Sequence, residues 1–511
     1  MAQAIMVLGT ASDVGKSVIA AAICRLLHRR GIRVAPFKAQ NMSLNSFVTP
    51  EGGEMGRAQV VQAQACGLQP HVDMNPILLK PEADHCSQVI VQGKVWGKHD
   101  ARNYFARHDE LFAFVMESYA RLAAANDVIV IEGAGSAAEI NLRDRDLVNW
   151  PVAHLADAQV LLVADIDRGG VFAQVIGTLD LLEPEERRRV KGIVINKFRG
   201  DVSLFDDGVV FIEQRTRLPV LGVVPFMRSL ELDQEDSVAR DQRNVEFAPD
   251  KVNIAVVLLP HMSNFTDFAA LAAEADVNLR YTAKPKELAG ADAVIIPGSK
   301  STVNDLNYLD EKNFHEAIAM HVERGGELIG LCGGYQMLGR EIRDPFHLEG
   351  GGTRSGFAFL DIDTELTEHK TTVQVEATPL WFDARDVAAV QGYEIHMGRT
   401  ARGTMAPSFR IISESQNHLA APRLDGAVNR RRLIWGTYIH GVFDQPAFRR
   451  LWLNRLRQRK SLAPLALIES QNVNRRLAAA IDNWADHFAQ NINLQLILDS
   501  IGRQNVAKAN L

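Results

Sequence analysis

The strongest constraint on the fold is a glycine-rich loop near the amino terminus, set between an apolar strand and an amphipathic helix. Residues 4–8 are apolar, residues 9–17 form the loop, and residues 18–29 have the pattern of a helix. A strand, a glycine loop, Gly-Lys-Ser and a helix in this order give the context that a phosphate-binding P-loop requires. The sequence therefore predicts that backbone N–H groups of this loop cradle phosphates.

The side chains of the loop have distinct expected roles. Lys16 is expected to reach the β- and γ-phosphates of a nucleotide, and Ser17 to bind Mg²⁺. Lys38, at the end of the second strand, could assist the phosphates or be a solvated lysine. The residues that we expect to bind ATP are Gly9, Thr10, Ser12, Asp13, Val14, Gly15, Lys16, Ser17 and Lys38. Five residues separate Gly9 from Gly15, and this long loop resembles that of dethiobiotin synthetase, a ligase that phosphorylates a carboxylate.

Further apolar strands alternate with helical patterns through the first half of the chain. Residues 128–131 are all apolar and end at Glu132, and later strands follow at 159–164, 192–195 and 219–225. This alternation predicts a parallel sheet with helices on both faces. A carboxylate at the carboxyl end of a buried strand is well placed for Mg²⁺, so Glu132 is the second predicted metal ligand.

A second constraint lies at residues 328–338, where an apolar run ends in Gly-Leu-Cys-Gly-Gly and a helical pattern follows. This pattern is typical of a nucleophile elbow, with Cys332 on a sharp turn between strand and helix. The backbone N–H of Gly333 would then stabilise an oxyanion. Gly298 follows a buried strand in a Pro-Gly turn, and it is the candidate for the second oxyanion donor.

A cysteine nucleophile needs a base to form the thiolate and an acid to protonate the leaving amine. His440 stands at the end of an apolar strand, just before a glycine, and suits both tasks. His396 is the rival, although strand alternation favours burial of its ring in the core.

The length of the chain predicts more than one domain. With 511 residues it is too long for a single core. We expect a P-loop domain at 1–235, a polar linker at 236–251, a Cys332 domain at 252–447 and a helical extension at 448–511, with a clear helix at 478–490.

The net charge of −6 gives no nucleic-acid signature. The four scattered cysteines fit a reducing cytoplasm, and no signal peptide or membrane span is expected.

Taken together, these motifs resemble those of the cobyric acid synthase family, the glutamine-dependent amidotransferases of cobalamin biosynthesis. The resemblance covers residues 1–447 and rests on seven segments: residues 9–17, 37–43, 263–268, 297–300, 331–338, 392–400 and 438–441. It implies an α/β fold in which a dethiobiotin-synthetase-like P-loop domain is joined to a class I glutamine amidotransferase domain of flavodoxin-like type. It also implies Cys332 as the nucleophile and His440 as its acid/base partner.

The resemblance further implies the reaction. The family uses ATP, Mg²⁺ and glutamine to amidate the b, d, e and g carboxylates of adenosylcobyrinic acid a,c-diamide. We expect a phosphorylated carboxylate that ammonia attacks. Asp146, in the charged loop after Glu132, is the candidate for positioning ammonia or taking its proton. Neither nucleic acid nor membrane is an expected partner, and a homo-oligomer is possible.

At one point the sequence departs from the broader class I glutaminases. They carry an acid two residues after the histidine, where this chain has Val442. No third member of the triad is therefore assigned, and a backbone carbonyl or Glu394 could orient His440. The Mg²⁺ shell beyond Ser17 and Glu132 also stays open, because the loop after the second strand offers Gln40, Asn41 and Asn45.

Two alternative functions compete with this prediction. The nearest is cobyrinic acid a,c-diamide synthase, which has the same two domains but amidates the a and c carboxylates; segments 37–45 and 263–268 favour cobyric acid synthase over it. The other is a partitioning-type regulatory ATPase, which would carry an extra lysine early in the P-loop and would not need Cys332 and His440.

Overall fold

The computed structural model describes residues 2–83, 86–228, 230, 232, 245–382, 389–415, 422–467 and 472–500. Residues 236–244 of the predicted linker lie outside the described residues. The same holds for residues 468–471 and 501–511 of the predicted extension.

The predicted parallel sheet is confirmed in the first half of the chain. Six strands pair in the order β12-β11-β10-β1-β9-β2, and every pairing is parallel. The strands of this half are β1 (Gln3–Gly9), β2 (Val34–Phe37), β3 (Gln40–Met42), β4 (Ser46–Val48), β5 (Glu54–Gly56), β6 (Ile77–Ala83), β7 (Cys86–Val91), β8 (Lys94–Asp100), β9 (Val128–Glu132), β10 (Gln159–Asp165), β11 (Val190–Phe198) and β12 (Val220–Pro225). Its helices are α1 (Lys16–Arg29), α2 (Arg57–Ala65), α3 (Ala101–Phe105), α4 (His108–Ala125), α5 (Trp150–Leu155), α6 (Val171–Asp180), α7 (Pro184–Arg189) and α8 (Asp206–Thr216).

The register of the central strands brings the polar strand ends together. In the pairing of β1 with β9, Val7 lies opposite Glu132, and in the pairing with β10, Gly9 lies opposite Val163. Strand β9 is buried along its whole length because helices cover both faces of the sheet. The P-loop and Glu132 therefore share one edge of the P-loop domain.

A smaller sheet with the order β3-β6-β7-β8 belongs to the same domain. Strand β3 runs parallel to β6, whereas β6, β7 and β8 form an antiparallel meander. Side chains alternate between the two faces of such a sheet. One face borders a large cavity of the P-loop domain, and the other face borders the second half of the chain.

The second half forms the Cys332 domain around a sheet with the order β14-β13-β15-β16-β26-β25. Its strands are β13 (Val252–Val257), β14 (Val277–Thr282), β15 (Ala293–Ile296), β16 (Glu327–Leu331), β17 (Glu341–Asp344), β18 (Gly352–Ser355), β19 (Ile362–Glu365), β20 (Thr371–Pro379), β21 (Val390–His396), β22 (Arg399–Arg402), β23 (Phe409–Glu414), β24 (Arg423–Asp425), β25 (Ala427–Val428), β26 (Ile434–Thr437) and β27 (Ile439–His440). Its helices are α9 (Ala269–Ala272), α10 (Thr302–Glu311), α11 (Phe314–Glu323), α12 (Gly333–Met337) and α13 (Pro446–Arg459). The five strands from β14 to β26 are parallel, and β25 is antiparallel.

The predicted helical extension divides between the two domains. Helix α13 packs in the core of the Cys332 domain, where Phe448 and Trp452 are fully buried. The following helices, α14 (Val473–Gln490) and α15 (Leu494–Ser500), return to the P-loop domain, where α14 packs on α1 and α15 packs against β12. The indole N–H of Trp484 donates to the backbone oxygen of Val18 at 2.6 Å. Among the described residues, no helix combines the length and apolar character that crossing a membrane requires.

Candidate active sites

The P-loop curls back on itself at the end of β1. A Cβ atom on Gly9 would lie 2.7 Å from Cγ2 of Val14 and 2.9 Å from the backbone oxygen of Ala11, so only glycine fits there. Gly15 has φ of +100°, a left-handed conformation that glycine adopts without strain. The ammonium group of Lys16 donates to the backbone oxygens of Ala11 (2.9 Å) and Gly135 (2.8 Å). Lys16 thus lies across the mouth of the loop.

The outer part of the loop is fastened by neighbouring strand ends. The side chain of Asn196 donates to the backbone oxygen of Val14 at 2.8 Å. Thr10 donates from its backbone N–H to Val163 at 2.9 Å and from its hydroxyl to Gln174 at 3.2 Å. These contacts hold the backbone of the loop in place, and the role of its side chains in binding ATP stays a prediction.

Glu132 is the centre of a buried network beside the loop. Its side chain is 1% exposed and accepts hydrogen bonds from four side chains: Ser17 (2.7 Å), Lys38 (2.9 Å), Gln62 (2.6 Å) and Gln59 (3.2 Å). Burial by itself would raise the pKa of Glu132, but the charge of Lys38 and these hydrogen bonds outweigh it, so the pKa lies below its usual value. Lys38, which could have been a solvated lysine, is instead buried against this carboxylate.

The arrangement of Ser17 and Glu132 fits Mg²⁺. No group of three or more acidic, histidine or cysteine side chains that could hold a metal occurs in the described part of the chain. Nucleotide-bound Mg²⁺ does not need such a cage, because it takes one or two carboxylates and completes its shell with phosphate oxygens and water. A hydroxyl 2.7 Å from a carboxylate at the P-loop would supply the protein ligands of such a shell, and the assignment of Ser17 and Glu132 to Mg²⁺ stays a prediction.

A large cavity of about 930 Å³ opens beside the P-loop. The small sheet supplies one wall with Leu79, Pro81, Val89 and His99, and the segment from Ala134 to Trp150 supplies another. Arg102, Arg143 and Arg145 line it as well. The cavity therefore combines apolar walls with cationic groups, next to the loop that holds Lys16.

Asp146 lines this cavity, but both oxygens of its carboxylate accept hydrogen bonds from backbone N–H groups. One oxygen accepts the N–H groups of Val148 (2.8 Å) and Asn149 (3.0 Å), and the other accepts that of Trp150 (2.9 Å). These bonds satisfy the free N–H groups at the start of α5, as a helix cap does. The predicted role of Asp146 in handling ammonia stays a prediction.

The structure shows the elbow that the sequence predicts at Cys332. Cys332 has φ of +50° and ψ of −110°, a conformation rarely populated by residues other than glycine. It directly precedes the short helix α12, and its backbone N–H donates to Thr437 at 2.9 Å. A Cβ atom on Gly334 would lie 2.1 Å from the backbone oxygen of Ile296. The strained turn is thus locked by close backbone packing.

Asp267 orients His440. Its Oδ2 atom lies 2.7 Å from Nδ1 of His440, and its Oδ1 accepts the backbone N–H of Gly441 at 2.9 Å. Burial alone would lower the pKa of His440, but the charges of Asp267 and of the neighbouring Cys332 outweigh burial and raise it to about 10. The ring of Tyr393 stacks on the imidazole at 5.4 Å. His440 is therefore held as a cation beside the sulfur of Cys332.

Both alternatives considered for the orientation of His440 are wrong in this structure. The Nδ1 atom contacts a carboxylate rather than a backbone carbonyl, and Glu394 faces away and pairs with Arg423. Burial and nearby Asp425 raise the pKa of Glu394 to about 7. Asp267 lies in segment 263–268, which carried the family resemblance, but its distance of 173 positions from His440 hid the pairing.

His396, the rival base, lines the same small cavity as Cys332 but has another environment. Burial lowers its pKa to about 3. Its Nδ1 atom lies 3.0 Å from the backbone oxygen of Gly398, and its ring stacks on Tyr438 at 3.8 Å. A ring that stays neutral and is packed in this way suits a core role better than acid catalysis.

The two predicted oxyanion donors lie next to the nucleophile. A Cβ atom on Gly298 would be 3.1 Å from Cε1 of His440, and one on Gly333 would be 2.9 Å from the backbone nitrogen of Ser299. The Pro-Gly turn therefore faces the start of α12. Donation of these N–H groups to an oxyanion stays a prediction.

Cys332 faces a small chamber between the two domains, which we call the interface chamber. Its volume is about 60 Å³. The Cys332 domain lines it with Asn264, Gln336 and the residues around the nucleophile, and the P-loop domain lines it with Lys80, Glu82 and Lys98. Ammonia released at the nucleophile would thus form in a small space that both domains line.

Two family models match the chain. The model described as CobQ/CobB/MinD/ParA nucleotide binding domain matches residues 5–238. The model described as CobB/CobQ-like glutamine amidotransferase domain matches residues 253–448. Together they cover the two domains that carry the sites described above.

Three curated relatives share the same name, cobyric acid synthase. The protein of Syntrophobacter fumaroxidans is 47% identical over 510 residues, which cover 98% of this chain and 99% of the relative. That of Streptococcus sanguinis is 47% identical over 508 residues, covering 99% and 100%. That of Klebsiella pneumoniae is 49% identical over 497 residues, covering 96% and 97%. The similarity thus extends through the C-terminal helices α14 and α15.

Proposed function

The chain belongs to the cobyric acid synthase family, and from this premise we propose that it amidates the b, d, e and g carboxylates of adenosylcobyrinic acid a,c-diamide with ATP and glutamine. It is a ligase of the glutamine amidotransferase type. The observation that carries the proposal is the pairing of a P-loop beside a large cavity with a cysteine nucleophile at the interface of the same two domains. A cytoplasmic location is part of the proposal and is supported by four cysteines that are all free thiols.

The glutaminase half reaction follows from the geometry around Cys332. The sulfur attacks the side-chain amide carbon of glutamine, and the C–N bond breaks as His440 gives its proton to the departing ammonia. Asp267 stabilises the imidazolium and fixes its orientation, as the carboxylate of a serine-protease triad does. The N–H groups of Gly298 and Gly333 would stabilise the oxyanions before and after the thioester. Water then hydrolyses the thioester and releases glutamate.

The ATP half reaction takes place at the P-loop. A corrinoid carboxylate oxygen attacks the γ-phosphorus, and the bond to the bridging oxygen of ADP breaks, which leaves an acyl phosphate. Lys16 and Lys38 neutralise charge on the phosphates. Bound Mg²⁺ would add Lewis-acid stabilisation, with Ser17 and Glu132 as its protein ligands. Ammonia attacks the acyl carbon, phosphate leaves, and the nitrogen loses one proton.

The large cavity is the proposed corrinoid site. Its volume of about 930 Å³ suits a macrocycle, and its apolar wall on the small sheet suits the face of a corrin ring. Arg102 and Arg145 are placed to bind peripheral carboxylates. Arg143 already bonds Glu183 at 2.6 Å and Glu186 at 3.1 Å, so it has less capacity for substrate.

The test is the mass of the corrinoid after incubation with ATP, Mg²⁺ and either glutamine or ammonium. We expect the wild type to add four amides to the a,c-diamide with either nitrogen source, and Cys332→Ala to do so with ammonium alone. Two amides added to cobyrinic acid, with no change to the a,c-diamide, would instead assign the chain as the a,c-diamide synthase. ATP hydrolysis without any amidation would favour the regulatory ATPase.

A further inference from the structure

We propose that ammonia passes from Cys332 to the P-loop along a buried line of neutral polar side chains around the β3 edge of the small sheet. This inference rests on the proposed function. The line, which we call the polar line, consists of Asn264, Ser46, Asn45, Ser43, Asn41 and Gln59, and it ends at Glu132. Each of the six is at most 4% exposed.

The small sheet separates the place where ammonia forms from the place where it is used. On β6, Leu79 and Pro81 face the large cavity, whereas Lys80 and Glu82 face the interface chamber. The same alternation holds on β8, where His99 lines the cavity and Lys98 lines the chamber. Ammonia must therefore travel around an edge of this sheet, and β3 is the edge strand that follows Lys38, which binds Glu132 beside the P-loop.

Charged pairs close the direct way through the sheet. Glu54 binds both Lys80, at 2.6 Å, and Lys370 of the other domain. Glu82 likewise binds Lys98, at 2.7 Å, and Lys300. Separating these buried ion pairs to open a passage would cost free energy, because each charge would lose its partner inside the protein. A wall of lysine cations also repels ammonium, which favours transit of the neutral molecule.

The polar line begins at the chamber. Asn264 lines the chamber, and its side-chain oxygen accepts the backbone N–H of Ser46 at 3.3 Å across the domain boundary. The preceding residue, Asn45, accepts a hydrogen bond at its side-chain oxygen from the hydroxyl of Thr266 at 3.2 Å. Its backbone N–H donates to the hydroxyl of Ser43 at 3.0 Å. The line thus crosses between the domains through groups that carry no net charge.

Gly56 marks the narrow middle of the line. Its neighbour Arg57 donates a backbone N–H to the backbone oxygen of Asn45 at 3.1 Å. A Cβ atom on Gly56 would lie 2.5 Å from Nδ2 of Asn41 and 2.9 Å from Oε1 of Gln59. These two amides bond each other at 3.1 Å, and Gln59 donates to Glu132 at 3.2 Å. The absence of a side chain at Gly56 therefore lets the amides of Asn41 and Gln59 pack directly against the backbone and bond each other.

Two orphan polar atoms lie along this route. Within the described residues, Nδ2 of Asn45 and Oε1 of Gln62 are buried without a hydrogen-bond partner. An unpaired buried polar atom is costly and rare in folded proteins. Asn45 offers a donor midway, and Gln62, which bonds Glu132 through its nitrogen at 2.6 Å, offers an acceptor at the end. Ammonia both donates and accepts hydrogen bonds, so it would satisfy each atom in transit.

The test separates production of ammonia from its delivery. Asn45→Leu removes the polar atoms at nearly constant size, and Gly56→Ala adds a methyl group that displaces the amides of Asn41 and Gln59 from the line. We measure glutamate formed per amide formed with glutamine, and amidation with ammonium. In both variants we expect glutamate per amide to rise about tenfold, which corresponds to the loss of one hydrogen bond in transit, while ammonium-dependent amidation is retained. Thr372→Val removes another interdomain hydrogen bond, to Gly52 at 2.9 Å, and should leave the ratio unchanged.

Either of two results would overturn the route. An unchanged ratio in both variants means that ammonia travels elsewhere. Equal loss of glutamine- and ammonium-dependent amidation at constant ratio means that these residues only support the P-loop domain. Gly56→Ala carries the test if Asn45→Leu does not fold. Failure of the proposed function itself would show separately, because the wild type would then amidate no corrinoid with either nitrogen source.

Discussion

The two active sites prepare their chemistry in opposite ways. Around Cys332 the reactive geometry already exists: the nucleophile is strained at φ of +50°, and His440 is aligned by Asp267 at 2.7 Å. Around the P-loop the reactive groups already have protein partners: Lys16 donates to the backbone oxygens of Ala11 and Gly135, and Ser17 and Lys38 bind Glu132. One site is assembled before its substrate arrives, and the other must exchange partners when its substrate binds.

This difference follows from what each site receives. Glutamine brings no charge to the atoms that react, so the Cys332 domain supplies fixed charges and donors in advance. A nucleotide brings several negative charges. Before it binds, the buried cationic side chains that will contact its phosphates need other hydrogen-bond or ion-pair partners. Glu132 and the backbone oxygens of Ala11 and Gly135 serve as those partners. The contrast predicts that single substitutions act locally at the first site and spread through a network at the second.

The largest expected effect is at Asp267. Asp267→Asn removes the charge that holds the imidazolium and alters the tautomer of His440, so glutaminase turnover should fall by about 10³- to 10⁴-fold. Ammonium-dependent amidation should stay within about twofold of wild type, because the P-loop is untouched. Glutamate release and amide formation are measured in parallel. Glu394→Gln is the control, since Glu394 was the rival orienter, and a loss as large as that of Asp267→Asn would refute the assignment.

The second prediction concerns the helix that supports the P-loop from the far end of the chain. Trp484 is 3% exposed and packs with Ile481 and Phe488 against α1. Trp484→Ala should reduce the local stability of α1 by about 3–5 kcal/mol, the usual cost of deleting a buried aromatic side chain. Hydrogen exchange of the α1 amides measures this, with the amides of β16 in the Cys332 domain as an internal reference. Arg29→Ala, which removes exposed ion pairs to Asp482 and Asp486, should cost about 1 kcal/mol or less.

The third prediction concerns the network at Glu132. Glu132→Gln keeps the shape but leaves the buried ammonium of Lys38 without its anion, so β9 should lose about 2–3 kcal/mol of local stability. The pKa of Glu132 is lowered by folding, so its contribution is present above the usual carboxyl value and is lost as pH falls through the folded value. Hydrogen exchange of β9 at decreasing pH should show that loss in the wild type and not in the variant. The exposed Glu183→Gln serves as the control, with a change of about 1 kcal/mol or less.

The sequence predicted those features that local pattern determines. The P-loop and the Cys332 elbow are visible because glycines must occupy their tight turns and apolar strands precede both. Helix 478–490 was also predicted, but its packing on α1 was not, because Trp484 meets Val18 across 466 positions. The pairing of Asp267 with His440 was not predicted for the same reason, because 173 positions separate the two residues. The strands β6, β7 and β8, within residues 77–100, were not predicted. Their side chains alternate between the large cavity and the interface chamber, so the segments have mixed polarity instead of a clear apolar pattern.

The smallest expected effect is the response of the preassembled site to pH, and it sharpens the contrast with the P-loop. Asp267 and Cys332 raise the pKa of His440 to about 10, so its imidazolium form persists through neutral pH. The stability that this cation contributes is fully present below the ordinary value of 6.5 and is lost as pH rises through about 10. Glutaminase turnover should therefore change little between pH 7 and about 9 and decline above that, as the proton donor to ammonia is lost. In Asp267→Asn the decline should begin at lower pH, because the main charge that raises the pKa is gone. If glutaminase turnover of the wild type had already declined fully near pH 7, His440 would not be held as a cation. The Cys332 site would then lack the fixed charge that distinguishes it from the P-loop site.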